Sequence, residues 1–140
     1  MDRTIRILDV NINRSREGLR VVEDLVRLVL DDASLASQIK NMRHEITSLA
    51  RQLPLDESEL LRARDSEGDV GMNLDNASEG LRTDLSQIAT ANIRRSQEAM
   101  RVLEEVSKLY DSSVASQFKK LRFQFYGLEK EIMPKLSEKK

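Results

Sequence analysis

N-I-N-R-S-R-E-G-L-R-V-V-E-D-L-V-R-L, from Asn11 to Leu28, governs the reading of the whole chain because it occurs twice. The second copy, N-I-R-R-S-Q-E-A-M-R-V-L-E-E-V-S-K-L, runs from Asn92 to Leu109. At an offset of 81 the copies agree at Asn11/Asn92, Ile12/Ile93, Arg14/Arg95, Ser15/Ser96 and Glu17/Glu98. They agree again at Arg20/Arg101, Val21/Val102, Glu23/Glu104 and Leu28/Leu109. A repeat of this length is settled before any single residue is given a role, since it dictates the architecture.

Outward from the first copy, residues 3–30 follow a helical period. Ile7, Val10, Leu19, Val21, Val22, Leu25, Val29 and Leu30 project to one broad side. Arg6, Asp9, Asn13, Arg16, Glu17, Arg20, Asp24 and Arg27 project to the other. Asp31, Asp32 and Ser34 then offer N-cap oxygens for a second helix. Its apolar seam, Leu35, Ile39, Met42, Ile46, Leu49 and Leu53, alternates steps of four and three, as in a bundle. Pro54 is expected to end it.

The repeat extends through this helix. S-L-A-S-Q-I-K-N-M-R, residues 34–43, matches S-V-A-S-Q-F-K-K-L-R, residues 113–122, now at an offset of 79. The shift of two places a shorter turn at Asp111 to Ser113, where a duplication best tolerates a change of length. The matching seam is Val114, Phe118, Leu121, Phe125, Leu128 and Ile132. The chain therefore reads as an all-α, internally duplicated antiparallel hairpin forming a four-helix bundle. As one domain over 1–140 it divides into repeat one (1–54), a connector (55–81), repeat two (82–134) and a tail (135–140). Within the connector, Asp56 and Glu59 could cap a short helix through Ala63.

Composition fits that reading and excludes others. One domain is all that 140 residues can build well, and 34% charged residues suit a helical protein with a charged surface. Lys plus Arg total 23 against 24 acidic residues, so the basic excess of a general nucleic-acid binder is missing. With no Cys, disulfides and thiolate metal sites are excluded. No apolar run reaches the roughly 20 residues of a membrane span, and the start leads straight into an amphipathic pattern without a leader. A soluble, cytoplasmic protein without membrane or nucleic-acid partners is expected. The pattern leaves a homodimer open, with hairpins exchanged or not.

Three polar or small residues fall on the wrong side of helix one. Asn11, Arg14 and Gly18 lie near the centre of its apolar side, and Asn92, Arg95 and Ala99 repeat them. A buried guanidinium needs a counter-charge, and Glu17, Glu23, Glu98 and Glu104 border that side. One reading is a polar network that fixes the register of two related hairpins. The other leaves Arg14 and Arg95 free for an anion, which the planar guanidinium fork suits, with Gly18 letting something approach the backbone. The connector adds Arg62, Arg64, Asp65, Glu67 and the Asp69-Val-Gly71 turn, a set that could serve Mg²⁺ and phosphate and is also ordinary turn composition. No G-x-x-x-x-G-K-[ST] loop is present. His44, the single His, projects away from the seam into solvent. Phe123 and Tyr126 lie off the seam of helix four, where they either pack between helices or stack on a flat ring.

Taken together, Asp9-x-Asn11-x-Asn13-Arg14-x-x-Glu17-Gly18-Leu19-Arg20-Val21-x-Glu23-Asp24, Lys40-x-x-Arg43-His44 and Asp69-Val-Gly71 resemble the small hydroxymethylpyrimidine phosphate kinases of thiamine biosynthesis. Asn92-x-x-Arg95-x-Gln97-Glu98-Ala99-x-Arg101-x-Leu103-Glu104-Glu105 with Lys108, Arg122, Tyr126 and Glu129 extends the resemblance over nearly the whole chain. Such proteins occur alone or fused to thiamine phosphate synthase, and this chain would be a stand-alone member. The resemblance implies ATP- and Mg²⁺-dependent phosphorylation of 4-amino-5-hydroxymethyl-2-methylpyrimidine phosphate to the diphosphate. With that activity, Arg14 and Arg95 would hold phosphates, and Glu17, Glu98 or Asp69 would hold Mg²⁺. Asn11 and Asn92 would read the aminopyrimidine or complete the metal shell, with Asn13, Gly18, Arg43, Arg122 and Tyr126 as further substrate contacts. The competing reading is a non-catalytic helical module that binds a phosphorylated pyrimidine or a partner protein.

Overall fold

A computed structural model describes residues 2–72 and 80–139. The Asn-rich part of the connector, 73–79, lies outside the described residues. The chain is an all-α helical bundle of α1 (Asp2–Leu28), α2 (Ala33–Gln52), α3 (Glu57–Ala63), α4 (Leu85–Ser107) and α5 (Ser112–Ser137), with no strand among the described residues. None of these helices is long and apolar enough to cross a membrane.

Aspartates start four of the five helices. Asp32 accepts from the Leu35 amide, Asp84 from Gln87, and Asp111 from Ser113 and Val114, each satisfying amides the helix leaves unpaired. Asp56 and Glu59 form a reciprocal capping box on α3. Proline stops α2 at Gln52, as the sequence implied. It does not stop α5, which passes through Pro134 to Ser137 because Leu136, 1% exposed, buries the last turn in the core. The two-residue difference between copies is also absorbed differently from expectation. Each hairpin keeps a four-residue connection (29–32 and 108–111), and α4 instead ends earlier, leaving Leu109, the copy of Leu28, outside its helix.

The two seams are buried as read, with Ile39, Ile46, Phe118, Phe125 and Ile132 all at 0% exposure; Met42 alone is only partly covered. α1 and α4 form the central pair, flanked by α2 and α5 respectively. They cross where small residues stack. Ser96 Oγ donates to the Ser15 carbonyl at 2.9 Å, and a Cβ on Gly18 would stand 2.6 Å from the Asn92 carbonyl oxygen. The space at Gly18 is thus taken by α4 itself.

α1 departs from its projection at the N-terminal half. Asp9, read as solvent-facing, is 4% exposed, while Ile7, read as core, is 43% exposed. A projection assumes one buried side, but α1 packs against α2, α3 and α4, so its buried arc is far wider.

Candidate functional site

One face of α1 carries Arg6, Val10, Asn13, Arg14 and Glu17 at helical spacing, with Asp9 beside them. The connector lies over this face, and Arg95 of α4 closes it, enclosing a cavity of about 350 Å³. Asp9 anchors the connector. Beyond the end of α3, the extended backbone at Arg64 (φ −67°, ψ 130°) lets its guanidinium grip Asp9 through Nε and Nη2, both at 2.8 Å. The hydrogen bond to Asp9 holds the Arg64 guanidinium above its ordinary pKa. Asn13 Nδ2 also reaches Asp9, at 3.4 Å, and Arg6 donates to the Asp65 carbonyl at 3.2 Å.

Five of the residues given a substrate or metal role by the resemblance line one cavity, Asn13, Arg14, Glu17, Asp69 and Arg95, together with Arg64 and Asp65 of the connector. Arg14 comes from repeat one and Arg95 from repeat two, brought together by the α1–α4 crossing. Arg14 makes only a long bond to Asn11 Oδ1, at 3.5 Å, and Arg95 has no hydrogen-bond or ion-pair partner among the described residues. Of the four glutamates expected as counter-charges, Glu23 and Glu104 are engaged elsewhere. Arg43 Nε meets Glu23 Oε1 at 3.0 Å, and Arg122 meets Glu104 Oε1 at 2.9 Å, one buried ion pair inside each hairpin.

The remaining residues lie elsewhere. Asn11 and Asn92 each donate to the carbonyl four residues back, Ile7 and Ile88, at 2.8 Å. Glu98 is exposed on α4 and does not line the cavity. Tyr126 accepts from Arg122 at 2.9 Å and meets Phe123 edge-on at 5.7 Å on the outer face of α5. Asp9 with Arg64 is what sequence reasoning missed. Both residues stood out separately, but nothing in the chain announces a pairing across 55 positions.

Four arginines and four carboxylates line the cavity, and Arg64 cancels Asp9. Three of each remain, so the cavity alone carries no excess to hold a polyphosphate. A divalent cation would supply it. Magnesium takes one or two carboxylates and completes its shell with phosphate and water. Glu17 makes no hydrogen bond or close ion pair among the described residues, and Asp69 uses one oxygen on the Gly71 amide, so these two fit that modest demand. No cluster of three or more metal-binding side chains exists among the described residues.

The sequence pattern of the ThiD2 family matches residues 6–131. The chain belongs to the ThiD2 family. Its relatives include proteins named thiamine-phosphate synthase. That of Synechocystis sp. (strain ATCC 27184 / PCC 6803 / Kazusa) is 42% identical over 128 residues, covering 91% of this chain and 36% of the relative. That of Rhodopirellula baltica is 39% identical over 133 residues, covering 95% and 35%. That of Nostoc punctiforme is 41% identical over 128 residues, covering 91% and 35%. This ThiD2 chain thus spans about a third of the length of the curated relatives it matches. No solved structure matches it significantly.

Proposed function

We propose that this ThiD2 chain acts in thiamine biosynthesis as a kinase, converting 4-amino-5-hydroxymethyl-2-methylpyrimidine phosphate to the diphosphate with ATP. The observation that carries this reading is the convergence of Arg14 and Arg95, neither paired with a carboxylate among the described residues, in a cavity that also holds Glu17 and Asp69. Two guanidinium forks suit two phosphate groups, one on each substrate. The names of the relatives and the motif resemblance support the pathway and the substrate.

The chemistry asks little of the protein in covalent terms. An oxygen of the substrate's phosphate attacks the γ-phosphorus of ATP, the new P–O bond forms, and the bond to the departing ADP breaks. The attacking oxygen is already largely anionic at neutral pH, because a phosphate monoester loses its second proton near pH ~6. No general base is needed, in keeping with a cavity that contains no His. What is needed is alignment of two polyanions against their mutual repulsion. Arg14 and Arg95 would orient and screen the acceptor and donor phosphates, and Arg6 would add charge at the connector edge. Bound magnesium, held by Glu17 and Asp69, would neutralise the phosphate charge that develops during transfer. Asn11 would steady Arg14. The substrate's own phosphate is then both nucleophile and binding handle, which separates it from the unphosphorylated alcohol.

Incubating the protein with the phosphorylated pyrimidine, ATP and Mg²⁺ and resolving products by ion-exchange chromatography tests the reading. Formation of the diphosphate with equimolar ADP is expected. Tight binding of the phosphorylated pyrimidine without any diphosphate would replace the kinase with a non-catalytic binding module.

A further inference from the structure

The chain around α3 divides sharply at Ala63. Up to that residue it is held by apolar burial, with Leu60 packed against the core and Ala63 buried. From Arg64 to Met72 every residue is exposed. Val70 and Met72, the two apolar side chains of this stretch, are 88% and 54% exposed, and Ile7 on α1 is also left uncovered. The stretch thus lies over the arginine cavity with little apolar surface of its own buried, the mark of a segment that opens easily.

What holds it down is polar and narrow. Among the described residues two hydrogen-bonded contacts join it to α1: the paired bonds from Arg64 to Asp9, and one exposed bond from Arg6 to the Asp65 carbonyl at 3.2 Å. Its other hydrogen bonds are internal. Asp65 Oδ1 accepts from the Gly68 amide and Asp69 Oδ1 from the Gly71 amide, both at 2.8 Å. The Met72 amide donates to the Asp69 carbonyl at 3.1 Å. A Cβ on Gly68 would collide with the Asp65 carboxylate, so the first of these turns is tightly wound. The stretch is a preformed unit whose grip on α1 is concentrated on one buried carboxylate, Asp9. Arg64 fixes the direction in which it leaves α3.

We propose that residues 64–72 form a strap that opens and closes the arginine cavity, latched by the Arg64–Asp9 pair. Opening carries Asp69 away from Glu17, Arg14 and Arg95; closing returns it and shuts a bound ligand in. The second hairpin has no counterpart of the latch, because Thr90 stands where α1 has Asp9. The latch stands on geometry alone, and only the choice of an anionic probe below rests on the kinase reading.

The chain has no Cys, so paired spin labels can be attached to the full-length protein without background. Val70→Cys on the strap and Lys120→Cys on the outer face of α5 are both exposed and lie outside the cavity. Pulsed electron resonance then reads the distance between the two labels. With the latch intact, one narrow distance is expected. Arg64→Gln should split it into two populations, and so should Asp9→Thr, which installs the residue of the second hairpin. Dissociation of Mg²⁺·pyrophosphate, read from phosphorus NMR line shapes, should quicken roughly tenfold in both variants as opening ceases to be a minor state. Arg64→Gln leaves Asp9 buried without its partner, whereas Asp9→Thr removes the buried charge, so the second variant decides if the first fails to fold. The strap is overturned if folded variants keep the wild-type distance, or if the wild-type distribution is already as broad as theirs. It is overturned equally if the distances split while the dissociation rate stays the same. Should the wild-type protein fail to bind Mg²⁺·pyrophosphate at millimolar concentration, the kinase reading loses its cavity and the distances alone decide the strap.

Discussion

The two hairpins share a frame and differ in what fills it. Both keep a buried ion pair between their helices, Glu23 with Arg43 and Glu104 with Arg122, at equivalent positions. Both contribute a serine to the central crossing, and both tie an asparagine amide to the turn before it. The differences lie at one end. Asp9 in the first hairpin captures Arg64 of the connector, whereas its counterpart Thr90 only touches Met133. Glu129 fills the second hairpin where Ala50 leaves the first hollow. Duplication supplied two copies of a scaffold; substitution at a few positions made one copy into walls and left the other as support.

The sharpest way to break that division is at Arg14 and Arg95, one from each hairpin, which line the same cavity. Arg14→Ala and Arg95→Ala should each lower diphosphate formation by about 10³-fold, or ~4 kcal/mol of transition-state stabilisation, with helical signal and melting preserved. Steady-state kinetics beside circular dichroism measure both. A variant that loses its fold instead would assign that arginine to the frame.

The ion pairs come next, and here the hairpins should diverge in degree. Arg43→Ala should cost ~3 kcal/mol, the low end for stranding one partner of a buried pair. Arg122→Ala should cost less, because Arg101 still holds Glu104 at 2.9 Å, whereas the remaining partner of Glu23, Arg20, stands at 3.6 Å. Urea denaturation of the two variants gives the ordering directly; equal losses would mean that the second arginine contributes nothing.

Gly18 and Ala99 offer a smaller contrast. Alanine normally stabilises a helix over glycine by about 1 kcal/mol. At Gly18 the added Cβ meets the backbone of α4, which cannot move alone, and overpacking of ~1–3 kcal/mol outweighs the gain. Gly18→Ala should therefore lower the melting temperature, and a rise would show that the crossing is loose.

The smallest effect concerns acid. The Leu35 amide, with help from Lys135, holds Asp32 below its ordinary pKa of 3.8. A carboxylate with a lowered folded pKa contributes stability above its unfolded value and loses it as pH falls through the folded one. Melting temperature should thus fall more steeply below pH ~4 in the wild type than in Asp32→Asn, which keeps a cap but cannot titrate.

Much of this was legible from residues alone. The seams on α2 and α5 and the caps at Asp32 and Asp56 are local patterns, fixed by period and by side-chain reach to a neighbouring amide. Arg14 and Arg95 were also visible as a doubled pair, but the projection set both on the apolar side, whereas Arg14 is only half-buried and Arg95 is exposed. Their freedom from carboxylate partners was not visible, because Glu23 and Glu104 choose their arginines by the geometry of hairpin packing. Arg64 likewise was visible in a polar connector, but its grip on Asp9 was not.

The sequence by itself determined that this chain is a doubled helical hairpin, because periodicity, caps and repetition are all carried within a few residues of one another. Only the tertiary structure decided which polar residues are frame and which are site. That choice depends on which helices come within hydrogen-bond reach, and α1, covered on three sides, has neighbours that no single-helix projection contains. The crossing of α1 and α4 at Gly18 and Ser96 sets Arg14 beside Arg95, and α3 with its connector closes the cavity around them.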